Sequence, residues 1–545
     1  MGNRRRLYSS PEDVDDCSPF FGRTFAPMNI RPPWFRSIIL GCLGIVGSLP
    51  VAAAPAEIRT PPPPATPRIN GPTVFGVRPN SPFFYTIPVT GERPIAYAVD
   101  NLPAGLSLDS STGRISGRMT KAGEYPVVFR ASNRLGQAEK KFRIVVGEKI
   151  ALTPPLGWNS WNSWAGSVDQ DKVLRSARAL VSCGLANHGW TYVNIDDTWQ
   201  GERGGKHFAI LGNEKFPDMK KLCDDIHALG LKAGIYSSPW VTTYAGFRGG
   251  SSDDAQGNWP KVEGYDKYQA NHRLGKYTFE KNDAAQWAEW GFDYLKYDWN
   301  PNDIPHTKAM AEALRATGRD IVFSLSNAAP FEDIAELSKY ANAWRTTGDI
   351  VDAWAPPTAE WWQASVTEIG FNQDRWVPHG RPGHWNDPDM LVVGWVGWGP
   401  NLHPTHLTPA QQYSHISLWA MLAAPLLIGC DLERLDEFTL NLLTNDEVFA
   451  INQDALGHSA RRVATMGSID VFRKQLEGGS VALGFFNRGD STQTIPARIE
   501  LIGVGAAPHV RDVWRQKDLA PTGGKLEVTV PGHDVMLYRI TPAAK

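Results

Sequence analysis

The sequence predicts a (β/α)8 barrel with a small β-sandwich on either side of it, and three observations lead to this expectation. Between residues 152 and 456, eight short apolar runs alternate with helical patterns, which is typical of a parallel sheet wrapped by helices. The segments before and after this region show short alternating strands separated by turn residues. No Gly-rich phosphate loop follows a predicted strand, which disfavours a doubly wound nucleotide-binding sheet.

The composition is that of a globular chain of two to four domains and excludes collagen and extended disorder. The 545 residues carry 55 Lys+Arg against 57 Asp+Glu, a formal net charge of -2, so no basic excess favours nucleic acid as a partner. The five cysteines form no CxxC pair and indicate neither a zinc site nor a disulfide framework. Tryptophans outnumber tyrosines, 21 to 15, which suggests a function that uses flat apolar faces.

The N-terminal region predicts export of the protein. Residues 38–49 (IILGCLGIVGSL) have the length of a signal-peptide core, too short to span a bilayer, and are followed by small residues. Met28 would give a conventional start, and cleavage is expected near residues 54–56. We therefore assign residues 1–56 to a tail and signal peptide, with a periplasmic or extracellular destination and no stable membrane span after cleavage. An uncleaved anchor or a lipid on Cys42 is the alternative.

The remaining boundaries follow from composition. Residues 57–68 contain TPPPPATP, which can form neither helix nor central strand, and are expected to be a stiff linker. Residues 69–148 are expected to form a β-sandwich, and LPAGLSLDSSTGRISGRMTKAGEYPVVFRASNRLG resembles the immunoglobulin-like modules that bacteria append to secreted enzymes. This module lacks Trp, so a spacer is favoured over a sugar-binding role. Residues 152–456 form the predicted barrel, and residues 457–545 a C-terminal antiparallel β domain.

The eight predicted barrel strands end in polar residues. In order they are LGWNSW (156–161), YVNIDD (192–197), KAGIYSS (232–238), YLKYDW (294–299), IVFSLSN (321–327), AWRTTGD (343–349), HWNDPDML (384–391) and PLLIGCDL (425–432). Active sites of such barrels lie at the carboxyl ends of the strands. Taken alone, an Asp after a strand is more often a helix cap, and a Trp is more often core. The joint position of these residues at one edge of the sheet is what favours a site.

Carboxylates dominate this edge. No Cys/His cluster of metal spacing and no GxSxG nucleophile elbow accompany them, so we expect neither a metal nor a cofactor in the reaction. Cleavage of a glycosidic bond needs two such carboxyl groups, and aromatic faces suit the apolar side of a sugar. Lys296 precedes Asp298 by two residues, so both lie on one face of their strand and Lys296 would favour ionised carboxylates.

The motifs LGWNSW, NIDDTW, GIYSSP, YLKYDW, WRTTGDI, GHWNDPDML and APLLIGCDL resemble, in order and spacing, the clan D α-galactosidases of glycoside hydrolase family 27, over about residues 152–541. The resemblance implies a (β/α)8 barrel with a C-terminal β-sandwich, and hydrolysis of terminal α-D-galactosides with retention of configuration. The substrates would be galacto-oligosaccharides, galactomannans or other α-galactosides. By this resemblance Asp298 is the nucleophile and Asp349 the acid/base.

The same resemblance implies a set of sugar-binding residues. Trp161 would pack on the galactose face, Asp196 and Asp197 would accept hydrogen bonds from the O4 and O6 side, and Lys296 would donate to O3 and O4. Arg345 would serve O2, while Tyr236 and Asp389 would line the pocket. Charged acceptors fixed on an axial hydroxyl would be left unpaired by an equatorial epimer, so galactose is favoured over glucose.

The sequence departs from the family at three places. Residues 324–329 (SLSNAA) replace a bulky group that closes the pocket around the C2 hydroxyl, and Ser326 and Ala329 resemble the family's α-N-acetylgalactosaminidases, which are our second hypothesis. Tyr244 and Asn300 occupy the positions of a familiar cysteine pair, so that cross-link is lost; whether Cys183 and Cys223 pair is open. A polar segment at residues 250–275 is expected to overhang the mouth.

Other functions remain open at this point. A non-catalytic carbohydrate-binding protein would be expected to lose the carboxylate pair, yet Asp298 and Asp349 are both present. A transglycosylase would look nearly identical, because a sugar hydroxyl competes with water for the same intermediate. An enzyme acting on β-L-arabinopyranosides or α-glucans would be expected to alter the pair Asp196 and Asp197, which is intact.

Overall fold

The computed structural model describes residues 56–258, 271–360, 363–498, 508–520 and 525–542. The predicted tail and signal peptide lie outside these residues, so export remains a prediction. Among the described residues, no helix has both the length and the apolar character needed to cross a membrane.

An eight-stranded parallel sheet lies at the centre of the described residues, and its strands follow one another in chain order around the sheet. It confirms the predicted fold class. The strands are Leu156–Asn159, Tyr192–Asn194, Lys232–Ser237, Tyr294–Asp298, Val322–Ser326, Ala343–Arg345, Trp385–Asp387 and Leu426–Ile428. We number them as barrel strands one to eight in this order.

The sheet closes on itself. Barrel strand eight pairs with strand one, with Leu156 opposite Leu426. On the other side, Leu391, four residues beyond strand seven, forms a parallel bridge with Ile428. The Leu391 N–H donates to the carbonyl of Leu427 at 2.8 Å, and the Gly429 N–H donates to the carbonyl of Leu391 at 3.0 Å. Closure brings the carboxyl ends of all eight strands to one mouth.

Helices follow the strands, and capping side chains fix where several of them begin. Asp169, Asp218 and Asp303 each accept a hydrogen bond from the backbone N–H three residues later, and such caps stabilise a helix by about 1 kcal/mol each. Thr408 forms a capping box with Gln411. The α-helices around the barrel are Trp161–Trp164, Gln170–Ser182, Met219–Ala228, Glu280–Trp290, Ile304–Ala316, Ile334–Leu337, Val366–Gly370, Pro409–Met421, Glu437–Leu442 and Asp446–Asn452.

Most of the tryptophans in the described residues belong to the core, which corrects the expectation that their excess reflects function. Ten of them have less than 2 % of their surface exposed, among them Trp158, Trp190 and Trp419. Their indole N–H groups join distant segments: Trp158 donates to the carbonyl of Cys430 at 2.9 Å, and Trp419 to the carbonyl of Asp389 at 2.7 Å. A buried Trp needs such a partner, so these side chains hold helices and loops against the sheet.

The N-terminal module is a β-sandwich with its own core, in which Phe129 stacks on Phe142 at 4.3 Å between ring centroids. One sheet is formed by Val74–Val77, Gly136–Val146, Gly123–Asn133 and Ala96–Asp100, and the other by Pro82–Thr86, Arg114–Arg118 and Leu106–Asp109. A short pair, Arg68–Ile69 with Val89–Thr90, lies beside them.

This module packs on the amino-terminal face of the barrel, opposite the mouth. Arg78 forms an ion pair with Asp320, two residues before barrel strand five begins, and the Asp320 N–H donates to Ser81 Oγ at 2.8 Å. Thr86 Oγ1 donates to the carbonyl of Gly230, just before barrel strand three, at 2.8 Å. The module therefore lies on the face from which the strands begin, which agrees with a spacer and not with a sugar-binding role at the mouth.

The C-terminal domain has a six-stranded antiparallel sheet and a separate strand pair within the described residues. The sheet contains Arg461–Met466, Ile469–Gln475, Val481–Asn487, Val535–Thr541, His509–Asp512 and Lys517–Leu519, and the pair is Gln493–Arg498 with Lys525–Val530. It packs on helix Pro409–Met421: Trp514 Nε1 donates to Ser417 Oγ at 2.8 Å, and Lys474 Nζ donates to the carbonyl of Ala420 at 3.2 Å.

The start of the proline-rich segment is anchored rather than a free linker. The side chain of Arg59 is 6 % exposed, forms a two-pronged ion pair with Asp534 of the C-terminal domain, and lies 3.9 Å above the ring of Tyr413. Thr60 accepts a hydrogen bond from Asn441 Nδ2 at 2.8 Å. These contacts fix the chain where the predicted signal peptide would end.

The cysteines of the described residues are free thiols. Cys183 and Cys223 do not pair with each other, and Cys430 is a third unpaired, buried thiol. The question left open by the sequence is therefore answered: no disulfide joins Cys183 to Cys223.

Candidate active site

The polar side chains predicted to form a site lie at the mouth of the barrel, on the carboxyl ends of the strands or directly after them. Trp161 begins a short helix after barrel strand one, and its N–H donates to Asn159 Oδ1 at 2.9 Å. The side chain of Trp161 is half-buried. Part of this side chain therefore stays accessible, which a sugar-stacking position requires.

The neighbouring carboxylates Asp196 and Asp197 follow barrel strand two and are both buried. Asp196 Oδ2 accepts hydrogen bonds from Lys296 Nζ at 2.8 Å and from Asn159 Nδ2 at 2.9 Å. Asp197 Oδ2 accepts from the backbone N–H of Ala245 at 2.9 Å. Burial raises the pKa of Asp197 to about 6, although hydrogen bonds from the Ala245 N–H and the Thr243 side chain oppose the shift. Both carboxylates are thus held in place by donors before any ligand binds.

Asp298 ends barrel strand four and has two donors of its own. The Tyr236 hydroxyl donates to Oδ2 at 2.9 Å, and Asn327 Nδ2 donates to Oδ1 at 2.9 Å. The carboxyl group is 5 % exposed, and burial raises its pKa to about 7, while the positive charge of Lys296 acts in the opposite direction. A carboxylate fixed at both oxygens and poorly hydrated is suited to attack an electrophilic carbon.

Lys296 is the cation of this group. Burial disfavours its charge, but the carboxylates of Asp196, Asp298 and Asp349 outweigh that effect and raise the pKa of Lys296 above its usual range. It therefore stays protonated and keeps part of the local negative charge balanced.

Asp349 lies beyond barrel strand six, in the two-residue strand Asp349–Ile350 that pairs with Gln363–Ala364. The predicted strand 343–349 thus ends early, at Arg345, and Asp349 is carried by a separate segment. Arg345 Nη2 lies 2.6 Å from Asp389 Oδ2 and 3.3 Å from Asp349 Oδ1. The side chain of Asp349 is 31 % exposed, so it is much more accessible to solvent than the buried Asp298.

Asp389 is held in an unusual backbone conformation with φ of 80°. Its Oδ2 accepts from the backbone N–H of Ile350 at 2.9 Å, which fixes the segment that carries Asp349. Asp387 Oδ1 accepts from the N–H of Asp389 at 2.8 Å, and burial raises the pKa of Asp387 to about 6. A non-Gly residue in this region of φ costs about 1–3 kcal/mol and is found mainly at functional sites.

Ser326 ends barrel strand five and lines a small cavity below the mouth together with Lys296, Arg345 and Asp389. Its Oγ is buried and has no hydrogen-bond partner among the described residues. A hydroxyl left without a partner in such a place is available to a ligand or a water molecule. The structure thus brings Ser326 close to the other predicted site residues.

Asn327 is a site residue that the sequence argument missed. Besides its hydrogen bond to Asp298, its carbonyl accepts from Asn300 Nδ2 at 2.7 Å, and its side chain lies close enough to Tyr244 to affect the pKa of that hydroxyl. Asn327 and Ala328 both have positive φ, 68° and 60°. The only sequence signal was the departure from the resembled family's pattern at SLSNAA, since nothing local shows which side chain reaches Asp298.

Tyr244 and Asn300, at the two positions where the sequence resemblance would place a cysteine pair, both lie beside Asn327. Tyr244 also packs against Trp240 and His272, and the Trp240 and His272 rings stack at 4.9 Å. Of these three residues, His272 belongs to the predicted overhang at residues 250–275, and Trp240 and Tyr244 precede it in the chain. Residues 259–270 lie outside the described part.

Two carboxyl groups of the site, those of Asp298 and Asp349, lie in different environments. Asp298 is buried and fixed by neutral donors, whereas Asp349 is partly exposed and beside a guanidinium group. Acid–base chemistry with a carboxylate nucleophile needs this division of roles.

Comparison with known proteins agrees with this geometry. The profile of the family described as "Alpha galactosidase A" matches residues 153–258 and 265–454. The profile of the "Alpha galactosidase C-terminal beta sandwich domain" matches residues 466–540, and an immunoglobulin-like domain profile matches residues 65–147.

Individual relatives cover most of the chain. Alpha-galactosidase 2 of Arabidopsis thaliana is 36% identical over 73% of this chain and 92% of its own length. The crystal structure of a proposed α-galactosidase of Bacteroides fragilis is 33% identical with a TM-score of 0.78, and the match covers 90% of this chain and 99% of that one. The crystal structure of α-galactosidase I of Mortierella vinacea is 32% identical with a TM-score of 0.61, over 72% of this chain and 98% of that one.

Proposed function

The chain belongs to the α-galactosidases of glycoside hydrolase family 27, and we propose that it hydrolyses terminal α-D-galactosides with Asp298 as nucleophile and Asp349 as acid/base. In the first step Asp298 attacks the anomeric carbon while Asp349 protonates the leaving oxygen. In the second step Asp349 removes a proton from water, which attacks the glycosyl-enzyme and releases Asp298. Two displacements at one carbon retain its configuration.

The observation that carries this assignment is the environment of Asp298. Donors from Tyr236 and Asn327 occupy one lone-pair direction on each carboxylate oxygen, and Lys296 lies two residues away on the same strand. These contacts orient the carboxylate and favour its ionised form against the effect of burial.

The remaining residues are proposed to bind the sugar. Asp196, fixed by Lys296, together with Asp197, offers charged acceptors to hydroxyl groups, while Trp161 offers an apolar face. Arg345 connects Asp349 with Asp389, so it is suited to orient both the acid and a ring hydroxyl. Tyr236 and Asp389 line the same pocket.

Galacto-oligosaccharides and galactomannans are the proposed natural substrates, and the predicted signal peptide supports a periplasmic or extracellular place of action. Transfer to a sugar hydroxyl instead of water would use the same residues. Release of galactose from raffinose-type oligosaccharides and from galactomannan by the purified protein tests the first proposal.

The buried Ser326 hydroxyl without a partner keeps the α-N-acetylgalactosaminidase hypothesis as a second candidate, because a small side chain leaves room for a larger group at C2. Paired assays with aryl α-D-galactoside and aryl α-N-acetylgalactosaminide decide between the two. We expect a higher kcat/KM on the galactoside. Preference for the acetamido sugar would replace the main proposal. A folded protein inactive on both would be assayed on β-L-arabinopyranosides and α-glucans before a non-catalytic carbohydrate-binding role is considered.

A further inference from the structure

A second group of ligand-bearing side chains lies outside the sugar pocket. Asp352, His403 and His406 each place one potential ligand atom so that all three atoms lie within 4.8 Å of one another. Asp352 follows the strand Asp349–Ile350, whereas His403 begins the strand His403–Pro404. We propose that these three side chains bind one divalent transition-metal ion of the Zn²⁺ type.

The distances suit such an ion. His406 Nδ1 lies 3.0 Å and His403 Nδ1 3.9 Å from the same oxygen, Oδ2 of Asp352. With metal–ligand bonds of about 2.0–2.1 Å, ligand atoms of a tetrahedral zinc site are about 3.3 Å apart. The observed separations lie on either side of this value. The rings of His403 and His406 are stacked with 4.5 Å between their centroids, so both rings must rotate before their nitrogens face one ion.

The two segments are already fixed next to each other. The backbone N–H of His406 donates to Asp352 Oδ2 at 2.8 Å, across 54 residues of sequence. Val396 pairs with His403, and Thr405 Oγ1 donates to the carbonyl of Val392 at 2.8 Å. A site whose backbone is already in place loses little conformational entropy when it binds an ion.

The three side chains differ in how far they are exposed to solvent, and a metal site needs both a poorly hydrated ligand and an open path for the ion. The Asp352 side chain is 7 % exposed, whereas the His406 side chain is 73 % exposed and the His403 side chain 37 %. The carboxylate is therefore poorly hydrated, while the imidazoles leave an entry path and room for water as a fourth ligand. His403 Nδ1 lies 3.0 Å from the carbonyl of Pro404, so a metal bound at this nitrogen would displace a proton from it.

The donor set indicates which ions bind. Two imidazoles and one carboxylate suit Zn²⁺, Cu²⁺ and Ni²⁺, whereas Ca²⁺ and Mg²⁺ prefer sites made of oxygen atoms. An isolated His–Asp ion pair is the alternative explanation of these contacts. The chain offers a control for it, because His509 lies 3.1 Å from Asp518 on an exposed strand and belongs to no such three-ligand group in the described residues.

Calorimetric titration of the purified full-length protein with ZnCl₂ tests the proposal. We expect saturable binding of one ion per chain and no comparable binding of CaCl₂ or MgCl₂. Loss of an outer-sphere partner weakens metal binding about 10- to 100-fold, so loss of a direct ligand in His403→Ala or His406→Ala should weaken it at least as much. His509→Ala should bind as the wild type does.

Folding of each variant is checked by circular dichroism, and thermal unfolding gives a second readout. A ZnCl₂ concentration that just saturates the wild type should raise the unfolding midpoint of the wild type and of His509→Ala, and raise that of the exposed His406→Ala variant by clearly less. Absence of saturable binding, or binding of equal strength in folded His406→Ala, would overturn the proposal, as would binding that depends on His509.

Discussion

Asn327 Nδ2 donates a 2.9 Å hydrogen bond to Oδ1 of Asp298, and the backbone of Asn327 is held at φ of 68° to do so. Asn327 thereby occupies one carboxylate oxygen of the proposed nucleophile, while Tyr236 occupies the other. The side chain of Asn327 also reaches Tyr244, and its carbonyl reaches Asn300. The nucleophile is thus positioned by the loop after barrel strand five.

Asn327→Ala should lower kcat/KM by about ten- to a hundredfold, because hydrogen bonds to charged groups contribute about 1.5–3 kcal/mol. The variant should also move the acid limb of the pH–rate profile to higher pH, since the amide favours the ionised carboxylate. Asn300→Ala, which removes only the bond to the Asn327 carbonyl, is the control with a smaller effect. An Asn327→Ala enzyme with an unchanged pH profile would contradict a positioning role.

The pKa of about 7 for Asp298 predicts that kcat/KM falls below about pH 7, as the nucleophile becomes protonated. The folded pKa lies above the ordinary value of 3.8, so the contribution of this group to stability is present below pH 3.8 and is lost as the pH rises through 7. Asp298→Asn should abolish turnover, because it removes the nucleophile. When unfolding is measured at a pH above 7, the same variant should have a higher thermal midpoint than the wild type, because no buried carboxylate has to be ionised. Substantial residual activity would disprove the nucleophile assignment.

Asp349→Ala should reduce the hydrolysis of oligosaccharides far more than that of activated aryl galactosides, because only a poor leaving group needs the proton. General acid catalysis contributes about 10²- to 10⁴-fold, which is the loss expected for oligosaccharides. Asp374→Ala serves as the control. It also removes an Asp of the barrel domain that pairs with an arginine, but Asp374 is exposed and its partner is Arg462 of the C-terminal domain. Equal losses on both substrates would argue against Asp349 as the acid.

Asp320→Ala should destabilise the attachment of the immunoglobulin-like module without changing catalysis. It removes the ion pair with Arg78 and the hydrogen bond from the Arg78 N–H at 2.8 Å, a loss of about 1–3 kcal/mol. Calorimetry should show an earlier onset of unfolding, while kcat/KM on aryl galactoside stays within twofold of wild type, as about 0.4 kcal/mol or less would imply. A large loss of activity would mean that the module acts on the mouth.

Lys474 is buried between the C-terminal sheet and helix Pro409–Met421, and burial lowers its pKa to about 7, against the opposing charge of Asp454. An unfolded Lys binds its proton up to about pH 10.5, so stability should rise between about pH 7 and 10.5 as the unfolded state holds more protons. Lys474→Met should remove this dependence and raise the midpoint at pH 7. The same slope in the variant would show that another group is responsible.

The alternation of apolar runs and helical patterns was sufficient to locate all eight barrel strands, because each strand is defined by local hydrophobic pattern and by its turn residues. Their polar ends could be assigned to one mouth from the sequence, since the carboxyl ends of parallel strands meet at one edge. The strand ends themselves were less accurate: the run 343–349 continues past Arg345, where pairing with the neighbouring strands stops.

Only the tertiary structure decided which side chains meet. Asn327 and Asp298 lie 29 residues apart, and His406 and Asp352 lie 54 apart, so no local spacing reveals either contact. For the same reason, the sequence did not show which tryptophans are buried in the core and which are exposed: burial depends on contacts with residues that are distant in the chain. Hydrophobic pattern is a property of neighbouring residues and survives in the sequence, whereas a contact depends on how the closed barrel brings distant loops together.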